Sequence, residues 1–134
     1  MIYISSGADG SSVINLTRGD DATLVIELTV SDNDSSVVRE YVMDEDEYLI
    51  FSVREKPSSD SPLLLELRSQ PGLNEIDFTH DDTADLEVNA YSAEIQLMTG
   101  NNQRYTVWPK LTGNNRISKS NRKNFYIMSE VVLA

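Results

Sequence analysis

The chain has 134 residues, no cysteine, and a formal net charge of −11 from 22 acids and eleven lysines and arginines. That length suits one domain able to bury about two-thirds of its unfolded surface without cross-links. Missing thiols exclude disulfides, thiolate metal sites and cysteine nucleophiles, and an acidic body repels phosphate, which argues against nucleic acid as a partner.

No apolar run approaches the roughly 20 residues of a membrane helix, so no membrane partner is expected. Met1-Ile-Tyr-Ile-Ser-Ser6 lacks a basic region followed by an apolar core, the mark of a secretory signal. The expectation is a protein made in its host's cytoplasm. Its charge is unevenly placed. Residues 1–103 hold 21 of the 22 acids and five of the eleven bases, while Arg104, Lys110, Arg116, Lys119, Arg122 and Lys123 fall in a stretch with no acid. Taken simply, this is a solvated basic loop beside an acidic body. Opposite charges at the two ends also suit head-to-tail docking, so these six residues form the candidate assembly interface.

Ile2 to Ile4 is a short apolar opening, followed by a polar loop to Ser12. Val13 to Leu16 suggests a brief strand. Thr17-Arg-Gly-Asp-Asp21 is a turn by composition, with Gly19 supplying the bend. In Ala22 to Val30, strict alternation puts Ala22, Leu24, Ile26, Leu28 and Val30 on one face of a strand. Val37 to Val42 is a weaker candidate strand, and Asp44 to Glu47 an exposed acidic connector. Tyr48 to Arg54 alternates, with Leu49, Phe51 and Val53 inward. Glu55 to Pro62 is a proline-bounded loop. Leu63 to Arg68 resumes the sheet, Ser69-Gln-Pro-Gly72 turns it, and Asn74 to Phe78 gives another strand. Thr79 to Leu86 suits a helical turn capped by Thr79 or Asp81.

Tyr91 to Met98 and Arg104 to Trp108 flank Thr99-Gly-Asn-Asn-Gln103, an antiparallel hairpin placed at the centre of the domain. After Pro109 the chain passes through Gly113-Asn-Asn115 and closes on a strand from Asn124 to Leu133. Seven or eight short strands with turns about every ten residues predict an all-β domain. The expected fold is a single antiparallel β-sandwich over 1–134, Ig-like or jelly-roll-like.

No constellation points to catalysis. His80, the only histidine, lacks partners for a metal site or a triad. No serine sits in a nucleophile elbow, and no glycine loop cradles phosphate. The clusters Asp44–Glu47 and Asp81-Asp82 sit in polar surroundings, where a raised carboxyl pKa is not expected. From Asp32 the glycine position of the helix-loop-helix calcium motif falls on Val37, so that motif fails, while an irregular calcium loop stays open. Arg18-Gly19-Asp20 spells an adhesion tripeptide, but three residues recur often by chance and here they sit where a turn into a strand is required. Trp108 before Pro109 reads first as core or sheet-face packing; with Tyr105 and Tyr126 it is also the alternative candidate site, a stacking platform for a carbohydrate or other ligand.

Three stretches carry a family resemblance: Leu16-Thr-Arg-Gly-Asp-Asp-Ala-Thr-Leu-Val-Ile-Glu-Leu28, Asp46-Glu-Tyr-Leu-Ile-Phe-Ser-Val-Arg-Glu-Lys56, and Asp77 to Leu86 followed by Tyr91-Ser-Ala-Glu-Ile-Gln-Leu97. In that order the chain resembles the small β-sandwich domains of tailed phages and prophages of Gram-positive bacteria. They are of the kind found at the amino-terminus of upper baseplate proteins. Arg18, Gly19, Asp20, Phe51, Val53, Lys56, Asp82, Thr83, Leu86, Tyr91, Ile95, Leu97, Tyr105, Thr106 and Pro109 fit their pattern. The long basic stretch over 110–124 departs from it, as does the end of the sequence after the sandwich. The resemblance implies a non-catalytic structural subunit of a virion, a baseplate, tail or head-tail component. Such a subunit would work by oligomeric assembly with itself and other virion proteins, with no cofactor. A ligand-binding module is the alternative expectation.

Overall fold

Tyr91, Ala93, Ile95 and Leu97 all point into the core, and the strand that carries them is the axis of the larger sheet. The computed structural model describes residues 1–5, 12–31, 38–58, 60–109 and 123–129. Among these, the chain runs β1 (Ile2–Ser5), β2 (Ile14–Thr17), β3 (Ala22–Glu27), β4 (Thr29–Ser31), β5 (Val38–Glu40), β6 (Tyr48–Arg54) and β7 (Leu63–Arg68). It continues through β8 (Glu75–Phe78), helix α1 (His80–Ala84), β9 (Ala90–Met98), β10 (Arg104–Trp108) and β11 (Phe125–Met128). The continuation of the last strand beyond Ser129 lies outside the described residues.

The fold is all-β, built on two principal sheets. One has the order β1-β3-β8; the other has six strands, β2-β11-β9-β6-β7 with β10 also paired to β9. β6 covers one edge of β9 along Ser92 to Met98. The opposite edge is shared end to end, by β11 at Ala90 and Tyr91 and by β10 from Ile95 to Met98. Most pairs are antiparallel, but β1 joins β3 and β2 joins β11 in parallel. Parallel neighbours need a crossover, and alternation within a strand carries no sign of direction.

Leu24, Ile26, Ile76 and Phe78 from the smaller sheet share one core with Leu49, Phe51, Val53, Ile95, Phe125 and Ile127 from the larger. Phe78 meets Phe51 and Phe125 edge-on, with ring centroids 5.3 and 6.2 Å away, and Phe51 and Phe125 are 5.4 Å apart. Each edge-on pair contributes about 0.5–1.5 kcal/mol beyond area burial, so the trio ties the two sheets together.

The alternating run from Ala22 to Val30 forms two strands rather than one. β3 pairs with β1 and β8, whereas β4 pairs with β5 in a separate ribbon. Leu28, between them, stays buried and its carbonyl accepts the Tyr41 N–H at 3.0 Å. At Gln70-Pro-Gly-Leu73 a hydrogen bond from Leu73 N–H to Gln70 C=O closes the turn at 3.0 Å, and Gly72 has φ of +80°. Proline second and glycine third is the pairing a type II turn demands.

Candidate functional site

Gly19 adopts φ of +82° in the Arg18-Gly19-Asp20 turn, and the Asp20 N–H donates to the Thr17 carbonyl at 3.1 Å. The turn is seated on α1. Gly19 N–H donates to Thr83 Oγ1 at 2.8 Å, His80 Nδ1 lies 2.7 Å from the Gly19 carbonyl, and His80 N–H donates to Asp21 Oδ1 at 2.8 Å. Thr83 is fully buried. Thr79 is the N-cap, and its N–H donates to Asp82 Oδ2 at 2.7 Å. The tripeptide and the lone histidine therefore form an architectural joint between β2, β3 and the helix.

The acidic connector differs from its expectation in one residue. Asp44, Glu45 and Asp46 are exposed, but Glu47 is buried. Its carboxylate accepts from Tyr41 Oη at 2.7 and 2.9 Å and from the Asp44 N–H at 2.8 Å. These bonds replace the water the carboxylate gives up. The same contact, reinforced by burial, pushes the Tyr41 hydroxyl up to about 12. Among the described residues, no group of three His, Asp or Glu side chains converges as a metal site requires. The Asp32-Asn33-Asp34 loop lies outside them.

The three-ring platform does not form. Trp108 is fully buried, Tyr105 is 52% exposed and Tyr126 is half-buried. Register explains this. Thr106 lies opposite Gln96, yet Trp108 lies opposite Ile95, because the ladder slips by one residue at Val107. A regular strand would leave Trp108 on the outer face with Thr106; the bulge turns it into the core. There its Nε1 has no hydrogen-bond acceptor among the described residues. The two tyrosines then separate by face. Tyr105 lies opposite Leu97 on the core side of the sheet, and Tyr126 lies opposite Ala90 on the other side.

Tyr105 instead helps line an apolar groove of about 310 Å³ with Leu28, Val30, Tyr41, Leu97 and Val107. Leu28, β4 and Tyr41, just after β5, form one wall, and β9 with β10 the other. Sequence patterns gave no sign of it, because its walls come from segments paired in different sheets.

Of the six basic candidates, Arg104 is exposed at the start of β10, opposite Met98. Lys123 is half-buried, and its Nζ donates to the Glu55 carbonyl, so its ammonium already serves this chain's own packing. Lys110, Arg116, Lys119 and Arg122 lie outside the described residues. Tyr91 donates through its hydroxyl to the Glu87 carbonyl at 2.7 Å, and burial raises its pKa.

The larger sheet ends in β7, and among the described residues no strand covers its outer edge. Leu63 and Leu64 there are 44% and 42% exposed, while Leu65 and Leu67 are partly buried against the core. No helix of the described residues is long and apolar enough to cross a membrane. No family model, curated protein or solved structure matches this chain.

Proposed function

We propose that this chain is a non-catalytic structural subunit of a phage or prophage particle, a baseplate, tail or head-tail component that works by oligomeric assembly. The observation that carries the proposal is the β7 edge, which no strand of the described residues covers, with its exposed leucines. An edge strand presents a row of unpaired N–H and C=O groups, a template for pairing with another chain. The residues behind the resemblance fit an architectural part. Gly19 and Thr83 join the first turn to α1, Tyr91 ties β9 to the preceding loop, and Ile95 and Leu97 fill the core.

The basic residues Arg104, Lys110, Arg116, Lys119 and Arg122 supply a second contact, to acidic loops of a neighbouring component, while Lys123 is engaged within its own chain. Density-gradient fractions of a phage-induced lysate, probed for this chain by peptide mass spectrometry, test the particle assignment. Co-sedimentation with tail or capsid proteins is expected. Recovery only in the soluble fraction, from a lysate in which particles form, would overturn it. Charge reversal at Arg116, Lys119 and Arg122 should weaken assembly at low salt; an unchanged oligomer at low and high salt would exclude the electrostatic contact.

One observation favours a ligand-binding alternative. The groove beside Tyr41 and Tyr105 has the volume and apolar lining of a small-molecule site. A flat glycan platform is disfavoured by the buried Trp108. Chemical-shift changes confined to groove residues on titration with small aromatic compounds would support this alternative, and none would remove it.

A further inference from the structure

We infer that β7 pairs with β7 of a second copy about a two-fold axis at Leu67, so that two larger sheets run into one. This names the partner for the edge in the assembly proposal and rests on that proposal only in treating the edge as functional.

Hydrogen-bond direction limits the registers. The Ser69 N–H donates to the Leu49 carbonyl at 2.9 Å, and Leu67 and Leu65 lie opposite Phe51 and Val53. Backbone groups of alternate residues in an antiparallel ladder face opposite edges. Those of Ser69, Leu67 and Leu65 therefore face β6, and those of Glu66 and Arg68 face outward. A two-fold partner must set outward-facing residues opposite one another, which an axis at Leu65, Glu66 or Leu67 does.

Side-chain chemistry selects among the three. An axis at Glu66 sets two carboxylates directly opposite, which is repulsive. An axis at Leu65 brings Arg68 toward Pro62, which has no N–H to give. An axis at Leu67 sets each Glu66 opposite the other copy's Arg68, satisfying outward backbone donors and acceptors on both strands. Both side chains are exposed on the same face and are long enough to meet, since Arg68 Nη2 already lies 3.4 Å from Glu66 Oε1 within the strand. The Arg68 guanidinium also lies 5.6 Å from the Tyr48 ring centroid, which holds it over the sheet's outer face. On the inner face Leu67 meets its own copy, completing the burial that the core begins. The edge is thus self-complementary in backbone, charge and apolar contact, as an isologous interface requires.

The test is sedimentation velocity of the full chain from micromolar to millimolar concentration. The parent should dimerise. E66R or R68E alone turns two attractive cross-strand pairs into repulsive ones and should weaken association about tenfold or more. An equimolar mixture of E66R and R68E restores opposite charges at every pair and should regain the parent's association. A parent that stays monomeric at millimolar concentration would overturn the inference. So would single variants that associate like the parent, or a mixture that stays monomeric while circular dichroism shows both variants folded. Glu66→Pro removes an outward N–H without touching the β6 ladder, and should be folded and monomeric; a persisting dimer would also overturn it. These outcomes are separate from the lysate gradient. A β7 dimer absent from particles would sink the particle assignment alone, and a particle component without β7 pairing would sink only this inference.

Discussion

Replacing Asn124 should unseat the sheet where the edge of β9 opposite β6 passes from β11 to β10. β11 pairs with Ala90 and Tyr91, β10 begins opposite Ile95, and Ala93 falls in the gap. Asn124 fills it with its side chain. Oδ1 accepts the Ala93 N–H at 2.7 Å, and Nδ2 donates to the Ala93 carbonyl at 2.9 Å, copying the contact a backbone neighbour would make. Both residues are buried, at 4% and 5% exposure. Asn124→Ala therefore strands one buried N–H and one buried carbonyl. Each orphan costs about 1–3 kcal/mol, so a loss of about 2–4 kcal/mol is expected after some water entry. For a chain of this size that lowers Tm by roughly 8–15 °C. Asn124→Asp keeps the acceptor but sets a carboxylate oxygen against the Ala93 carbonyl. Its folded-state pKa is then raised above the unfolded value. The variant's deficit relative to the parent should be smallest below the unfolded pKa and should widen as pH rises toward neutrality. Calorimetry or denaturant titration of all three proteins between acid and neutral pH is the assay. An alanine variant within about 0.5 kcal/mol of the parent would show that Ala93 finds other partners, and the account would be wrong.

Glu47→Gln should lower the pKa of Tyr41, because the hydrogen bond to an anionic acceptor is the main cause of its rise from 10 to about 12. In the parent, the stability this group contributes is complete below pH 10 and is lost as pH rises from 10 to about 12; a phenolate absorbance titration identical in parent and variant would refute it. Thr83→Val removes the acceptor of the Gly19 N–H at nearly constant volume and should cost about 1–2 kcal/mol, read as a lower denaturation midpoint at unchanged m. Gly19→Ala meets φ of +82° and should lose about 1–2 kcal/mol on the same measurement; a neutral result would mean the turn relaxes. Trp108 is the sole tryptophan and fully buried, so its emission should be blue-shifted and poorly quenched by iodide, and quenching like that of the unfolded chain would contradict its place in the core.

Where each strand lies was largely legible in the sequence, because a period of two is a local property. Leu49, Phe51 and Val53, or Tyr91, Ala93, Ile95 and Leu97, announce a buried face whatever strand pairs beside them. The turns at Gly19 and Gly72 were equally local, since positive φ selects glycine. Tertiary structure decided what depends on neighbours far along the chain. The parallel partners of β1 and β2, the division of 22–30 at Leu28, and the groove all follow from which strands meet. A single bulge at Val107 moved Trp108 from the surface to the core and dissolved the aromatic platform. Glu47 reads in sequence as an exposed acid, and Asn124 as the first residue of the closing strand. Their burial is stable only because Tyr41, Asp44 and Ala93 bring complementary hydrogen-bonding groups to meet them, and no local pattern encodes where those partners will be.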